Sequence, residues 1–178
     1  FDDSYAVLDV PYTIYRRVPG TDLGQARLTA EQMIMVGREL GAELARLHDR
    51  ATDVAQPDDR LDAPDRLHSA QIAHALVAAG ALDRRSAPFS MELHERLQPA
   101  VAAGDRYRRF LHQDLKTSNV MIDDGRFAAV IDWGDAGWGD PALDLCYLPP
   151  AQARHAPAGY RPERPMDGDA TAEPRIWR

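Results

Sequence analysis

The spacing of apolar positions changes three times along this chain. Between residues 5 and 18 apolar and polar residues alternate loosely, with Tyr, Val, Ile and Thr enriched. That pattern predicts two short strands, Tyr5–Asp9 and Tyr12–Val18, followed by a turn at Pro19-Gly20. From Thr29 to Asp49 the spacing becomes helical. Thr29 and Gln32 stand at capping-box distance, and Met33, Leu40, Leu44 and Leu47 would share one buried face. Residues 51–63, rich in Asp and Pro, predict a loop. A second helix fits 65–83, with Leu67, Ile72, Leu76 and Val77 inward, and a third fits 89–103, kinked or divided by Pro99.

The pattern then returns to short strands, Tyr107–Leu111, Asn119–Ile122 and Arg126–Ile131. Asp123-Asp124-Gly125 is a hairpin-turn signal between the last two. Pro141 suits the first turn of a helix, and 141–148 is apolar enough to be that helix. Residues 149–178 hold six of the 13 prolines and predict an irregular tail.

Composition narrows the class. At 178 residues the chain is one domain, or one with extras, and its 44% apolar content suits a folded core. The net charge of −7 argues against a nucleic-acid surface, which needs a basic face. No apolar run approaches the roughly 18 residues of a membrane span. The single cysteine, Cys146, excludes an intrachain disulfide and a thiolate metal cluster, and reads as a small apolar helix residue. Of the 21 basic residues only Lys116 is a lysine. This arginine- and alanine-rich composition suits a GC-rich bacterial genome and a cytoplasmic enzyme. The chain starts at Phe1, without an initiator methionine, and reads as a piece of a longer protein.

The chemistry concentrates in His112-Gln113-Asp114-Leu115-Lys116-Thr117-Ser118-Asn119 and in Ile131-Asp132-Trp133-Gly134. The first is a polar loop between apolar strands that presents a carboxylate and, five residues on, an amide. Hairpin pairing of 119–122 with 126–131 returns the chain, so Asp132 falls near Asn119 and Asp114. An amide oxygen beside a carboxylate suits magnesium, a hard cation that prefers oxygen ligands. The remaining carboxylate is free to accept a proton from a hydroxyl. Such equipment serves phosphoryl transfer, where the work is positioning and charge neutralisation. Residues 112–144 also contain seven aspartates and no glutamate, a local charge of −5. Magnesium would answer part of that charge, and a cationic substrate such as an amino sugar would answer more. His48 reads as a helix-end histidine favoured by the helix dipole. Asp140 reads as a helix cap, Asp135 as an exposed loop carboxylate, and Trp133 and Trp138 as packing residues flanking the site.

His112-x-Asp114-x-x-x-x-Asn119 with Asp132-x-Gly134 resembles the catalytic loop and metal-binding aspartate of protein-kinase-like enzymes. The phrase from Ile131 through Gly139-Asp140-Pro141 to Asp144-Leu145, and the helix from Gly37 to His48, are similar to the aminoglycoside phosphotransferase family. The resemblance implies an α+β, protein-kinase-like fold, mainly the helical C-terminal lobe with short β-hairpins at the catalytic loop. Residues 1–20 would be the remnant of N-lobe strands and hinge. Residues 21–148 would be the C-terminal lobe, with a helical insertion at about 51–105 shaping the substrate pocket, and 149–178 the tail.

The same resemblance implies Asp114 as catalytic base, Asn119 and Asp132 as magnesium ligands, and His112 as a brace of the loop. Lys116 departs from the small-molecule kinases and matches the protein-kinase form of the loop; it would touch the transferred phosphate or serve as a surface charge. Asp144 would hydrogen-bond the loop backbone. Tyr15, Arg16, Arg17 and Val18 would form the hinge that carries the base of ATP or GTP. The acceptor would be a small-molecule hydroxyl. No Gly-x-Gly-x-x-Gly occurs, and the only lysine lies inside the catalytic loop, so the N-terminal lobe is expected to be missing. Two rivals stay open: a non-catalytic, degenerate kinase module that binds a partner, and a metal-dependent hydrolase using the same aspartates on water.

Overall fold

The computed structural model describes residues 4, 6–7, 14, 16–54, 75–81, 92, 95–96, 99 and 108–163. The long helix α1 runs Ala30–Arg50 and opens with the expected capping box. Gln32 N–H donates to Thr29 Oγ1 at 3.2 Å, and Thr29 N–H donates to Gln32 Oε1 at 2.9 Å. These bonds satisfy two backbone donors that the helix itself cannot. Its inner face is Val36, Gly37, Leu40, Gly41, Leu44, Ala45 and His48. The period matches the expected one, but Met33 and Leu47, expected inside, are only half-buried. Small residues take the innermost positions because another helix lies directly on them.

Five short strands accompany α1: β1 (Thr21–Asp22), β2 (Arg109–Leu111), β3 (Val120–Asp123), β4 (Arg126–Val130) and β5 (Gly137–Gly139). They form two antiparallel sheets, β1-β3-β4 and β2-β5. The β3–β4 hairpin closes through Asp124 (φ 48°) and Gly125 (φ 73°), the two left-handed residues that a tight two-residue turn needs. A Cβ on Gly125 would also lie 2.0 Å from Gln32 Nε2, so the turn tip seats on the first turn of α1.

Glu39, in mid-α1, clamps the turn end of that hairpin. Its carboxylate accepts from Arg126 Nε at 2.6 Å, from Arg126 Nη2, and from Phe127 N–H at 3.1 Å. Burial pushes the Glu39 carboxyl up, but the Arg126 and Phe127 hydrogen bonds and the Arg126 charge outweigh it and hold it below the usual value.

Three helices follow β5: α2 (Ala142–Cys146), α3 (Pro150–Ala153) and α4 (Ala156–Glu163). The expected irregular tail is thus helical over much of 150–163. Pro150 and Pro157 fall in first helical turns, where a missing N–H costs nothing. Helix α4 packs on α1 backbone to backbone. A Cβ on Gly41 would come within 1.9 Å of Ala156 O, and one on Gly159 within 1.9 Å of Arg38 O. The core beneath combines Leu40 and Leu44 of α1 with Leu115, Val120, Leu145 and Tyr160.

Other expectations are corrected. Residues 14 and 16–18 of the supposed strand Tyr12–Val18 are irregular, and strand pairing begins only at Thr21, where β1 meets β3. Of Tyr5–Asp9 only residues 6 and 7 are described, and they form a bend rather than a strand. Within the second expected helix, 75–78 is helical, but Gly80 (φ 72°) ends it before residue 83. Gly80 N–H bonds Val77 O at 3.0 Å and Ala81 N–H bonds Leu76 O at 2.9 Å, the pairing of a left-handed C-terminal cap. Leu76, expected inside, is 40% exposed, and Leu67 and Ile72 lie outside the described residues. In the third, residues 92, 95, 96 and 99 are helical, Pro99 included.

Candidate active site

The site is the segment between β2 and β3, together with the residues that follow β4. Leu111 and Leu115, both fully buried, pin that segment from beneath. A 3-10 turn, Thr117–Asn119, then delivers the chain into β3. The Val120–Val130 pairing continues as a bond from Ile131 N–H to Asn119 O at 2.9 Å, which sets Asp132 beside Asn119.

Asp114 is about one-fifth exposed. Its Oδ2 accepts from Lys116 Nζ at 2.6 Å and from Asn119 Nδ2 at 3.0 Å. Asn119 Nδ2 also donates to Asp114 O at 2.8 Å. The amide nitrogen of Asn119 therefore faces Asp114, and its oxygen, which accepts from Ser118 Oγ at 3.2 Å, is turned away. The bond from Asp114 holds the Lys116 ammonium above its usual range, reinforced by the charges of Asp114, Asp132 and Asp135. Lys116 therefore stays charged, and these carboxylates lie close enough to act on it.

Two residues here adopt left-handed backbone without being glycine: Gln113 (φ 65°) and Asp132 (φ 64°). Such conformations cost about 1–3 kcal/mol each and persist only where the surroundings fix them. His112 and Asp144 do the fixing. His112, fully buried, donates from Nε2 to Ile131 O at 2.9 Å, while its Nδ1 accepts from Asp114 N–H at 3.3 Å. The partners assign the tautomer. The Trp133 ring meets the His112 ring edge-on, with centroids 4.8 Å apart. Asp144, also fully buried, accepts from Gln113 N–H at Oδ1 (2.8 Å) and from His112 N–H at Oδ2 (3.0 Å). Both ring nitrogens of His112 are thus spent on backbone, which makes it a brace between the loop and Asp132.

Asn119 and Asp132 offer magnesium one amide oxygen and one exposed carboxylate. Nothing in the fold claims the Asp132 carboxylate through a hydrogen bond to a described residue. Among the described residues no cluster of three or more His, Cys, Asp or Glu forms a closed metal cage. An open pair of oxygen donors fits magnesium, which keeps water and phosphate oxygens in its shell.

The expected hinge is less developed. Tyr15 lies outside the described residues, and Arg16, Arg17 and Val18 run irregularly toward Gly20. The chain then passes close to β3, since a Cβ on Gly20 would lie 2.0 Å from Ile122 O. Asp140, expected as a helix cap, stands one residue before the cap position, which Pro141 holds, and accepts from Ala142 N–H at 3.0 Å. Trp138 packs edge-on against Phe110, 5.9 Å between centroids. Asp140 and Asp144 are both buried and spent on the fold, so only part of the acidic cluster is exposed.

His48 stands in the last turn of α1, as expected, but its burial and its partners were missed. It is 1% exposed, and its ring joins Asp144 to α4. The missed signal was its spacing of four and eight positions from Leu44 and Leu40, which puts it on the buried face. Glu39 and Arg126 left no sequence trace of their pairing.

The sequence profile of the phosphotransferase enzyme family matches residues 2–169. No curated protein is matched by sequence. Among solved structures, the chain is similar to an aminoglycoside-3'-phosphotransferase of type VIII (24% identity, TM-score 0.56), covering 90% of this chain and 65% of that one. It is also similar to the macrolide 2'-phosphotransferase of Brachybacterium faecium (23% identity, TM-score 0.53), covering 89% of this chain and 59% of the other. Aminoglycoside phosphotransferase APH(4)-Ia is a third (18% identity, TM-score 0.58), with 90% and 59% covered. The chain therefore spans about three-fifths of the length of these structures and shares their protein-kinase-like fold. No helix among the described residues is long and apolar enough to cross a membrane. With its profile matched from residue 2 to residue 169, this chain belongs to the phosphotransferase enzyme family.

Proposed function

We propose that these residues form the catalytic side of an enzyme that moves the γ-phosphate of ATP or GTP to a hydroxyl of a small molecule. Asp114 is the base. In the transfer the acceptor O–H bond breaks and its proton passes to the Asp114 carboxylate. The acceptor oxygen bonds the γ-phosphorus as the bond to the β-phosphate bridging oxygen breaks, and the nucleoside diphosphate leaves. Magnesium, when bound through Asn119 and Asp132, supplies charge neutralisation for the phosphates. Lys116 stands beside the base with a charge able to meet the transferred phosphate. His112 and Asp144 hold the loop, and Tyr15, Arg16, Arg17 and Val18 carry the base of the nucleotide.

The acceptor class follows from charge. Asp114, Asp132 and Asp135 together outnumber Lys116, which favours a cationic hydroxyl compound such as an amino sugar. Several structural relatives are named for aminoglycosides. A cytoplasmic location, where nucleoside triphosphates abound, goes with this reading.

The observation that carries the proposal is the pairing of Asp114 with Asn119 on a strained, doubly clamped loop, with Asp132 following the strand that returns beside it. Its test is transfer of labelled γ-phosphate from ATP to a panel of amino sugars, macrolides and neutral sugars, using the natural polypeptide that contains these residues. Asp114→Ala is expected to lower kcat by ~10²–10⁴-fold, the scale of a lost general base. A loss of threefold or less removes Asp114 from that role.

A further inference from the structure

Asp144 holds the backbone of the strained loop, and something must hold Asp144. Its Oδ2 accepts a third bond, from His48 Nε2 at 3.1 Å. His48 Nδ1 in turn lies 2.9 Å from the hydroxyl of Tyr160 on α4, with the two rings tilted at 55°. Because Nε2 faces a carboxylate it carries the ring proton, so Nδ1 is the acceptor and the Tyr160 hydroxyl donates. Tyr160, His48 and Asp144 are each no more than 1% exposed. The chain of bonds runs from α4 through α1 and α2 to the backbone of His112 and Gln113, next to Asp114.

We propose that Tyr160 is a positioning residue for phosphoryl transfer, acting through His48 and Asp144 on the left-handed backbone at Gln113. The proposal rests on the role given above to Asp114. Its physical content is that the Tyr160 hydroxyl fixes both the tautomer and the rotation of His48. Without that donor the ring can turn or carry its proton on the other nitrogen. Asp144 then loses one of its three donors and its aim at the loop. The strain at Gln113 relaxes, and the neighbouring carboxylate leaves the line of the acceptor hydroxyl. Misplacement on the order of 1 Å at a reacting group can cost as much as about 100-fold in rate. Phenylalanine would fill the same volume, so packing alone does not require the hydroxyl.

The test compares Tyr160→Phe, His48→Asn and the double variant in the natural polypeptide, with Asp114→Asn as reference. Two readouts are taken: kcat and KM for Mg·ATP turnover, and amide hydrogen exchange across 110–116. Tyr160→Phe is expected to lower kcat about 10-fold with KM for ATP changed less than about twofold, the split of an interaction that matters only at the transition state. Exchange at His112 and Gln113 is expected to quicken about 10-fold while the interior of α1 keeps its protection. In the His48→Asn background, Tyr160→Phe is expected to add nothing.

Unchanged exchange at 112 and 113, or losses in kcat that simply add, overturn the proposal. If Tyr160→Phe leaves kcat within twofold while Asp114→Asn abolishes turnover, the positioning role fails and the base assignment stands. If Asp114→Asn leaves turnover intact, the functional reading itself fails, and with it the proposal.

Discussion

Gly41 gives the sharpest test of how the structure is held together. Replacing it with alanine would place a Cβ 1.9 Å from Ala156 O, where real Cβ atoms essentially never approach closer than 3.0 Å. The atom in the way is backbone, so no side chain can swing aside. Helices α1 and α4 would have to part by about 1 Å, on the scale at which overpacking costs ~1–3 kcal/mol. The same movement would stretch the 2.9 Å bond between Tyr160 and His48 out of range, a further ~1 kcal/mol. Alanine returns about 1 kcal/mol through its better helix propensity.

The net expectation is a loss of ~1–3 kcal/mol, read as a fall in Tm of about 3–10 °C for a chain of this size. Thermal and urea unfolding followed by circular dichroism measure it directly. Gly134→Ala is the control, since its Cβ would meet nothing closer than Asp132 Oδ1 at 3.7 Å. A Gly41→Ala protein as stable as the parent would refute the close approach of the two helices.

Other expectations follow from the clamps. Glu39 is held below its usual value by Arg126 and Phe127, so its contribution to stability is present above the unfolded value of about 4.5 and fades as pH falls through the folded one. Glu39→Gln should therefore destabilise at pH 7 and much less at pH 3; an equal difference at both would sink the assignment. Gly125→Val meets both a left-handed φ and Gln32 Nε2 at 2.0 Å, and should cost ~2 kcal/mol or more in urea unfolding. Asp132→Ala should abolish magnesium-dependent nucleotide binding in calorimetry, and unchanged affinity with magnesium present would count against Asp132 as a ligand.

Much of the site was legible because its residues are close in sequence. The spacing from His112 to Asn119 and the turn at Asp123-Asp124-Gly125 carry local information, and so do the capping pair Thr29 and Gln32. What could not be read depends on contacts between distant segments. Gly37 and Gly41 look like weak points in an amphipathic helix, and only the segments packed on them, Gln152–His155 at Gly37 and the start of α4 at Gly41, explain why they are buried. The prolines of 149–163 suggested irregularity because composition does not reveal that Pro150 and Pro157 stand at helix starts. Strands β1 and β5 have only two and three residues, too few for any alternation to show. The buried carboxylate of Asp144 could be placed from family resemblance, but its link to Tyr160 spans a gap that no local pattern crosses.

Trp133 gives the site an optical handle. Its indole is 43% exposed, one residue from Asp132 and edge-on to His112. Of the chain's three tryptophans, Trp138 is packed on Phe110 and Trp177 lies near the C-terminus. Emission from residue 133 therefore senses water and charge beside Asp132. Occupancy of the candidate site can be followed in real time by intrinsic fluorescence, without a label and without knowing the ligand in advance.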